Sequence, residues 1–111
     1  MMEFIINERE NFSHNKTGLH CVIWLGLTTP QHGARIKVSN SNSKMLKNDN
    51  FTITIPDKKI IGECKLSKKD LSKILIFIDF NKQLLIDYNF KRISLKYFYD
   101  NLIKYNDINI T

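Results

Sequence analysis

The sequence predicts an α+β fold in which an antiparallel sheet precedes two helices. Two observations indicate this order. Up to about residue 66, short apolar segments alternate with polar turns, and several of them show the two-residue period of strands. Beyond residue 66 the apolar period becomes that of a helix. Strands followed by helices are typical of α+β domains, and 111 residues fit a single domain.

Four strands are predicted, with a fifth as an open alternative. The four are Leu19–Leu27, Ala34–Ser39, Phe51–Ile55 and Ile60–Lys65, and Phe4–Ile6 is the candidate edge strand. The first of them is apolar at most positions, which indicates a central strand covered on both faces. Gly62 indicates a bulge in the last strand. Residues 1–18 are therefore interpreted as an N-terminal segment and loop, and residues 19–66 as a β-meander.

Two helices are predicted in residues 67–105. Ser67 is followed three residues later by Asp70, which is an N-terminal capping pattern. Apolar residues then recur at helical spacing from Lys68 to about Tyr88, and their width indicates burial on more than one side. The second helix is predicted from Ser94 to Tyr105. Residues 106–111 are interpreted as a frayed tail.

The predicted strands each have two faces, because side chains alternate along a strand. One face is aliphatic and is expected to meet the long helix. The other face carries polar and aromatic residues: His20, Trp24, Arg35, Lys37, Thr52 and Thr54. A ring among cationic and hydroxyl groups can stack a base and hold phosphates. The alternative is an ordinary solvated face, with Trp24 covered by the second helix or a partner.

The net charge of +6, from 17 basic and 11 acidic residues, favours an anionic partner. Fourteen of the basic residues are Lys, and their excess is also what an AT-rich genome produces. A cluster of lysines surrounds the last predicted turn and the start of the long helix: Lys58, Lys59, Lys65, Lys68, Lys69 and Lys73. This cluster is interpreted either as a partner contact or as a solvated face.

Catalytic chemistry has one candidate pair. His32 could act as a general base and Arg35 could stabilise an anion, as metal-independent RNA cleavage requires. The more common interpretation is a turn in which Gly33 takes a positive φ angle and His32 is exposed. The three histidines and two cysteines show no metal-ligand spacing, so neither a metal nor a cofactor is expected. The cysteines, Cys21 and Cys64, are interpreted as reduced thiols.

The sequence also bears on the cellular location of the protein and on the role of its C-terminal aromatic residues. The N-terminus lacks the pattern of a signal peptide, and no apolar run is long enough to span a membrane, so a cytoplasmic protein is expected. Tyrosines and phenylalanines cluster near the C-terminus: Tyr88, Phe90, Tyr97, Phe98, Tyr99 and Tyr105. Such a group is typical either of core packing or of an interface.

The segments "HGARIKV", "FTITIPDKKIIGECKLSKKDL" and "NKQLLIDY" resemble parts of a small bacterial family of unknown function. Its pattern is similar to residues 19–88 of this chain. The family has a histidine-rich loop, Asp-His-x-Pro-Pro-His-x-His, of which this chain keeps Pro30 and His32. Its members are often encoded near toxin–antitoxin-like or mobile-element genes. The resemblance implies a small accessory role and no particular reaction.

These features favour a non-enzymatic binding protein of a phage or mobile element. It would act as an inhibitor or partner of a protein–nucleic-acid machine, as anti-defence, anti-CRISPR-like and toxin–antitoxin proteins do. The partner would be a host or defence protein, a ribonucleoprotein, or RNA or DNA, and a homodimer is also open. The alternative is an RNA-cleaving or RNA-binding toxin-like domain. The expected contact residues are Trp24, Arg35, Lys37 and five members of the lysine cluster: Lys58, Lys59, Lys65, Lys68 and Lys69.

Overall fold

The computed structural model describes residues 10–12, 17–19, 21–25, 33–40, 49–55 and 57–108. The α+β class is confirmed. The strands are β1 (Glu10–Phe12), β2 (Ile23–Leu25), β3 (Ala34–Ser39), β4 (Asn50–Ile55) and β5 (Ile60–Ile61). The helices are α1 (Lys68–Asn89), α2 (Leu95–Asn101) and a short 3-10 helix (Tyr105–Asp107).

The prediction of a meander of four, or possibly five, strands is wrong in the number of strands that form the body of the sheet. Three strands, β2, β3 and β4, have an antiparallel neighbour on both sides and form the body of the sheet. On either side of them lie only short edge pairings, three residues of β1 and two of β5. The predicted edge strand Phe4–Ile6 lies outside the described residues.

The boundaries of the first strand differ from the prediction for local reasons. Gly18 has a φ of +79°, and the Thr17 hydroxyl accepts a hydrogen bond from the backbone N–H of Leu19 at 3.0 Å. This local turn competes with strand pairing, and within the described residues β2 begins at Ile23 and is described as far as Leu25. The last two residues of the predicted strand, Gly26 and Leu27, lie outside the described residues. At one edge of the sheet, β1 lies within residues 1–18, which were predicted to be an N-terminal segment and loop. Its polar residues have little strand propensity, so pairing with β2 decides their conformation.

The last strand is also shorter than predicted. Gly62 has a φ of +103°, which ends β5 rather than forming a bulge within it. The backbone then runs through residues 63–66 without strand structure to the start of α1. Asn40 holds this connection to the body of the sheet, since its Oδ1 accepts from the backbone N–H of Lys65 at 2.7 Å.

The long helix agrees with the prediction. Ser67 caps it, because its hydroxyl accepts a hydrogen bond from the backbone N–H of Asp70 at 3.1 Å. The helix is kinked at Asn81, whose φ of −121° and ψ of 16° are not helical. It packs across β3 and β4, and the core lies between them. The fully buried residues at this interface include Ile36, Val38, Ile53, Ile74, Phe77, Ile78 and Leu85.

The second helix is shorter than predicted, and it packs against α1. It ends at Asn101, and the backbone of Leu102 is extended, with φ −70° and ψ 130°. The reason is that Ile103 bonds to a side chain of α1 instead of continuing the helix. Asn81 Nδ2 donates to the Ile103 carbonyl at 2.9 Å, and Asn81 Oδ1 accepts from its N–H at 2.8 Å.

The predicted tail is structured as far as residue 108. The 3-10 helix begins at Tyr105, and Asn106 lies directly against Gly18. The Lys73 ammonium lies 5.8 Å from the centre of the Tyr105 ring. The end of the described chain therefore packs against the segment that leads into β2. Residues 106–108 of the predicted frayed tail are thus packed, and residues 109–111 lie outside the described residues.

Candidate nucleic-acid interface

The outer face of the sheet carries two cation–hydroxyl pairs on β3 and β4. Arg35 lies opposite Thr54 in the register, and Lys37 lies opposite Thr52. All four residues are half-buried, whereas their neighbours along each strand are buried on the opposite face. This alternation agrees with the sequence prediction. Because directly opposed residues share a face, the two pairs lie on one surface of the sheet.

The pair formed by Lys37 and Thr52 belongs to a longer row across the sheet. In the register, the backbone of Trp24 lies opposite Lys37, and Thr52 lies opposite Ile61. The Ile61 side chain is 52% exposed, so an aliphatic group ends this row at the edge of the sheet. We call the set Lys37, Thr52 and Ile61 the outer row.

Ile61 was missed as a site residue by the sequence reasoning. The segment "IIGECK" indicates a strand but does not show which isoleucine faces outward. The register answers this: Ile60 lies opposite the buried Ile53, and Ile61 lies opposite half-buried Thr52. The useful signal was the turn after β4. Its length fixes the register of the hairpin.

Hydrogen bonds hold the second pair in place. The Thr54 hydroxyl accepts from the backbone N–H of Lys59 at 2.9 Å and donates to Asp57 Oδ1 at 2.6 Å. The backbone N–H of Arg35 donates to Oδ1 of the fully buried Asn89 at 2.7 Å. Thr54 is thus a turn residue as well as a surface residue. Thr52, in contrast, has no side-chain hydrogen bond to any part of the chain that the structure describes.

The lysine cluster is not a single free cationic patch. Lys58 Nζ is 2.7 Å from Asp79 Oδ1, and Lys65 Nζ is 3.1 Å from Asp49 Oδ1. Both ion pairs connect separate parts of the chain, and they neutralise two of the predicted contact residues. Of the other four members, Lys59, Lys68 and Lys69 are exposed and have no ion pair within the described ranges. The fourth, Lys73, is half-buried beside the Tyr105 ring. The structure thus divides the cluster into fold contacts and surface charges.

The ion pair at Asp49 has a visible electrostatic effect. Hydrogen bonds from Lys65 and from Asn40, whose Nδ2 lies 3.1 Å from Asp49 Oδ1, hold the pKa of the Asp49 carboxyl below its usual value. The Asn40 Nδ2 also donates to the Glu63 carbonyl at 3.1 Å. Asn40 therefore joins the end of β3 to the segment after β5.

The candidate catalytic pair is only half described. Arg35 lies on β3, whereas His32 is outside the described residues, as are His14 and His20. Gly33 has the predicted positive φ, +75°. No group of three or more His, Cys, Asp or Glu residues within the described ranges is placed to hold a metal ion. A catalytic role for His32 stays a prediction.

Cys21, which lies between Thr17 and β2, has a thiol of low reactivity. Cys21 is buried in the core, and burial, with a smaller contribution from the charge of Asp70, raises the pKa of its thiol to about 12. A thiol with such a pKa is almost entirely protonated at neutral pH and is a poor nucleophile. Cys64 is half-buried against the same core.

The aromatic residues of the second half divide between the core and the surface. Phe98 is fully buried, with its ring centre 5.1 Å from that of Tyr88 and 5.8 Å from that of Tyr99. Tyr97 is exposed on the other side of the same helix. Core packing thus explains a large part of this group, as the sequence suggested.

No family model, no curated protein and no solved structure matches this chain. The resemblance to the family with the histidine-rich loop therefore stays a prediction. Among the described residues, there is no helix with the length and apolar character needed to cross a membrane.

Proposed function

We propose that this chain is a non-enzymatic binding protein and that the outer face of its sheet binds nucleic acid. The observation that carries the proposal is the pairing of Arg35 with Thr54 and of Lys37 with Thr52 on that face. Cationic groups suit phosphate oxygens, and the Thr52 hydroxyl beside Lys37 can donate to the same phosphate. Thr54 already donates its one hydroxyl proton to Asp57, so in the second pair the cation Arg35 makes the contact. The net charge of +6 adds a general attraction for a polyanion.

The setting of the two pairs favours a binding surface over a reaction site. Both lie on paired strands of the sheet, whose other face packs on α1. Positions on strands backed by a core are held more rigidly than positions on loops. Cross-strand pairs two residues apart are separated by about 6.6 Å along the strand. Each pair can therefore contact a different phosphate of one chain.

The biological setting proposed from sequence extends this function. A phage or mobile-element protein of this kind would act on a protein–nucleic-acid machine, with the sheet face directed at its RNA or DNA. The three exposed lysines, Lys59, Lys68 and Lys69, would supply weaker and less directional contacts to the same partner.

Titration of labelled RNA and DNA oligonucleotides with the whole chain, over a series of salt concentrations, tests the proposal. Replacing Arg35 and Lys37 together by Gln should lower affinity and reduce the slope of log affinity against log salt by about 1.4 for a single strand. The matched control replaces Lys91 and Lys104 by Gln. It removes the same charge from exposed positions of the helical side.

Two results would overturn the proposal. One is the absence of binding to any oligonucleotide at low salt. The other is an equal loss of affinity in both double variants, because attraction would then depend on net charge and not on the sheet face. Capture of a host protein that survives nuclease treatment and is lost in the Arg35 and Lys37 variant would likewise replace nucleic acid with a protein surface.

A further inference from the structure

The outer row combines three kinds of side chain in one line across the sheet. Lys37 supplies a cation, Thr52 a hydroxyl group, and Ile61 an exposed aliphatic surface. Neighbouring strands lie about 4.8 Å apart. The row from Lys37 to Ile61 therefore spans about 10 Å, which is the scale of one nucleotide with its base turned aside from its phosphate.

The aliphatic end of the row distinguishes between two forms of nucleic acid. A duplex presents sugar and phosphate at its surface, and its bases are stacked inside. An exposed Ile61 gains little from such a surface, because polar groups would be set against an apolar side chain. A single strand exposes the flat faces of its bases, and these pack well on apolar and aromatic side chains.

The geometry points to a single-stranded ligand, and we propose that one of its nucleotides lies across the strands along the outer row. The phosphate of that nucleotide lies at Lys37 and Thr52 and its base packs on Ile61, while the neighbouring phosphate lies at Arg35, about 6.6 Å away along β3. The register position of Trp24, next to Lys37 on the far side of the row, continues the same line. This inference rests on the proposed function and adds the class of ligand to it.

The adjacent isoleucines offer a matched pair of variants. Ile60 and Ile61 are neighbours in β5, with exposures of 38% and 52%, but they lie on opposite faces of the sheet. Ile61→Ala removes apolar surface that a base would cover and should weaken binding of a single strand on the order of threefold to tenfold, whereas Ile60→Ala should leave it unchanged. Ile61→Phe enlarges the flat apolar surface and should strengthen the same binding.

The salt dependence separates the two kinds of contact. An apolar contact releases no counterions, so Ile61→Ala should lower affinity without changing the salt slope, whereas Lys37→Gln should reduce it. The measurement is fluorescence anisotropy with one labelled oligonucleotide, alone and annealed to its complement. Thermal unfolding of each variant shows that it is folded. The wild type should bind the single strand at least tenfold more tightly than the duplex.

The outcomes distinguish this inference from the function on which it rests. Equal affinity for strand and duplex, or equal effects of Ile61→Ala and Ile60→Ala, would overturn the single-strand inference and leave nucleic-acid binding intact. Failure of both forms to bind at low salt would overturn the proposed function itself. A single strand bound more tightly than the duplex, with a loss in Ile61→Ala and none in Ile60→Ala, would support both.

Discussion

The side chain of Asn81 is expected to fix the path of the chain after α2. Asn81 is 3% exposed. Its amide makes three hydrogen bonds to backbone groups: one to the Phe77 carbonyl at 3.0 Å and two to Ile103 at 2.8 and 2.9 Å. The two bonds to Ile103 reproduce the pairing that one strand residue makes with its neighbour. They satisfy the backbone N–H and carbonyl of Ile103, which lies beyond the end of α2.

Asn81→Ala should destabilise the protein by about 2 kcal/mol. Each lost bond to Ile103 costs about 1 kcal/mol or more, because a partly buried backbone group is left without its partner. The net loss corresponds to a fall in melting temperature of about 8 °C for a domain of this size.

Urea unfolding followed by circular dichroism measures this change, and Asn101→Ala is the control. Asn101 Nδ2 also donates to the carbonyl four residues earlier, that of Tyr97, at 2.9 Å, but Asn101 is exposed and lies at the end of α2. Its replacement should cost less than about 0.5 kcal/mol. If the two variants unfold at the same urea concentration, the bonds to Ile103 contribute nothing, and the reasoning is refuted.

Three further predictions concern the thiols, the glycines and acid. In the native protein, a thiol reagent should modify Cys64 well before Cys21, whose pKa of about 12 keeps its thiol protonated. Modification of both cysteines at the same rate would contradict the burial of Cys21. Gly18→Ala should lower stability more than Gly33→Ala. Both glycines have positive φ, but of the two only Gly18 has atoms of another described segment within 4 Å of the new methyl group. Thermal melts of the two variants test this. The Asp49 carboxyl has a lowered pKa in the folded state. Its contribution to the stability of the fold is therefore complete above the unfolded-state pKa and is lost as the pH falls through the folded-state pKa. Asp49→Asn should therefore unfold with a weaker dependence on acid pH than the wild type, and an unchanged dependence would count against the ion pair.

Asparagine illustrates how far sequence reasoning reaches in this protein. Asn40, Asn81 and Asn89 each bind backbone groups from distant segments, and the last two are buried. In the sequence they are indistinguishable from the many other asparagines, whose number is also what an AT-rich genome produces. A short amide side chain can bond equally well to water, to its own backbone or to a distant segment. Its role is therefore decided only by what the fold brings near it.

The candidate site was predictable in part for a related reason. The alternation in "ARIKVS" and "FTITI" predicted which residues of β3 and β4 share the outer face, because a two-residue period is a local property. The place of Ile61 in the row was not predictable in this way. It depends on the register between β4 and β5, and on Gly62 ending the strand one residue later.

The sequence by itself determined the α+β class, the extent and N-terminal cap of α1, and the two faces of β3 and β4. Each follows from interactions within a few residues of the chain. Only the tertiary structure decided that β1 pairs at all, that α2 stops at Asn101, and that two of the six lysines of the cluster form ion pairs. Those outcomes depend on hydrogen-bond and charge partners far away in sequence, and the local pattern of residues does not specify such partners.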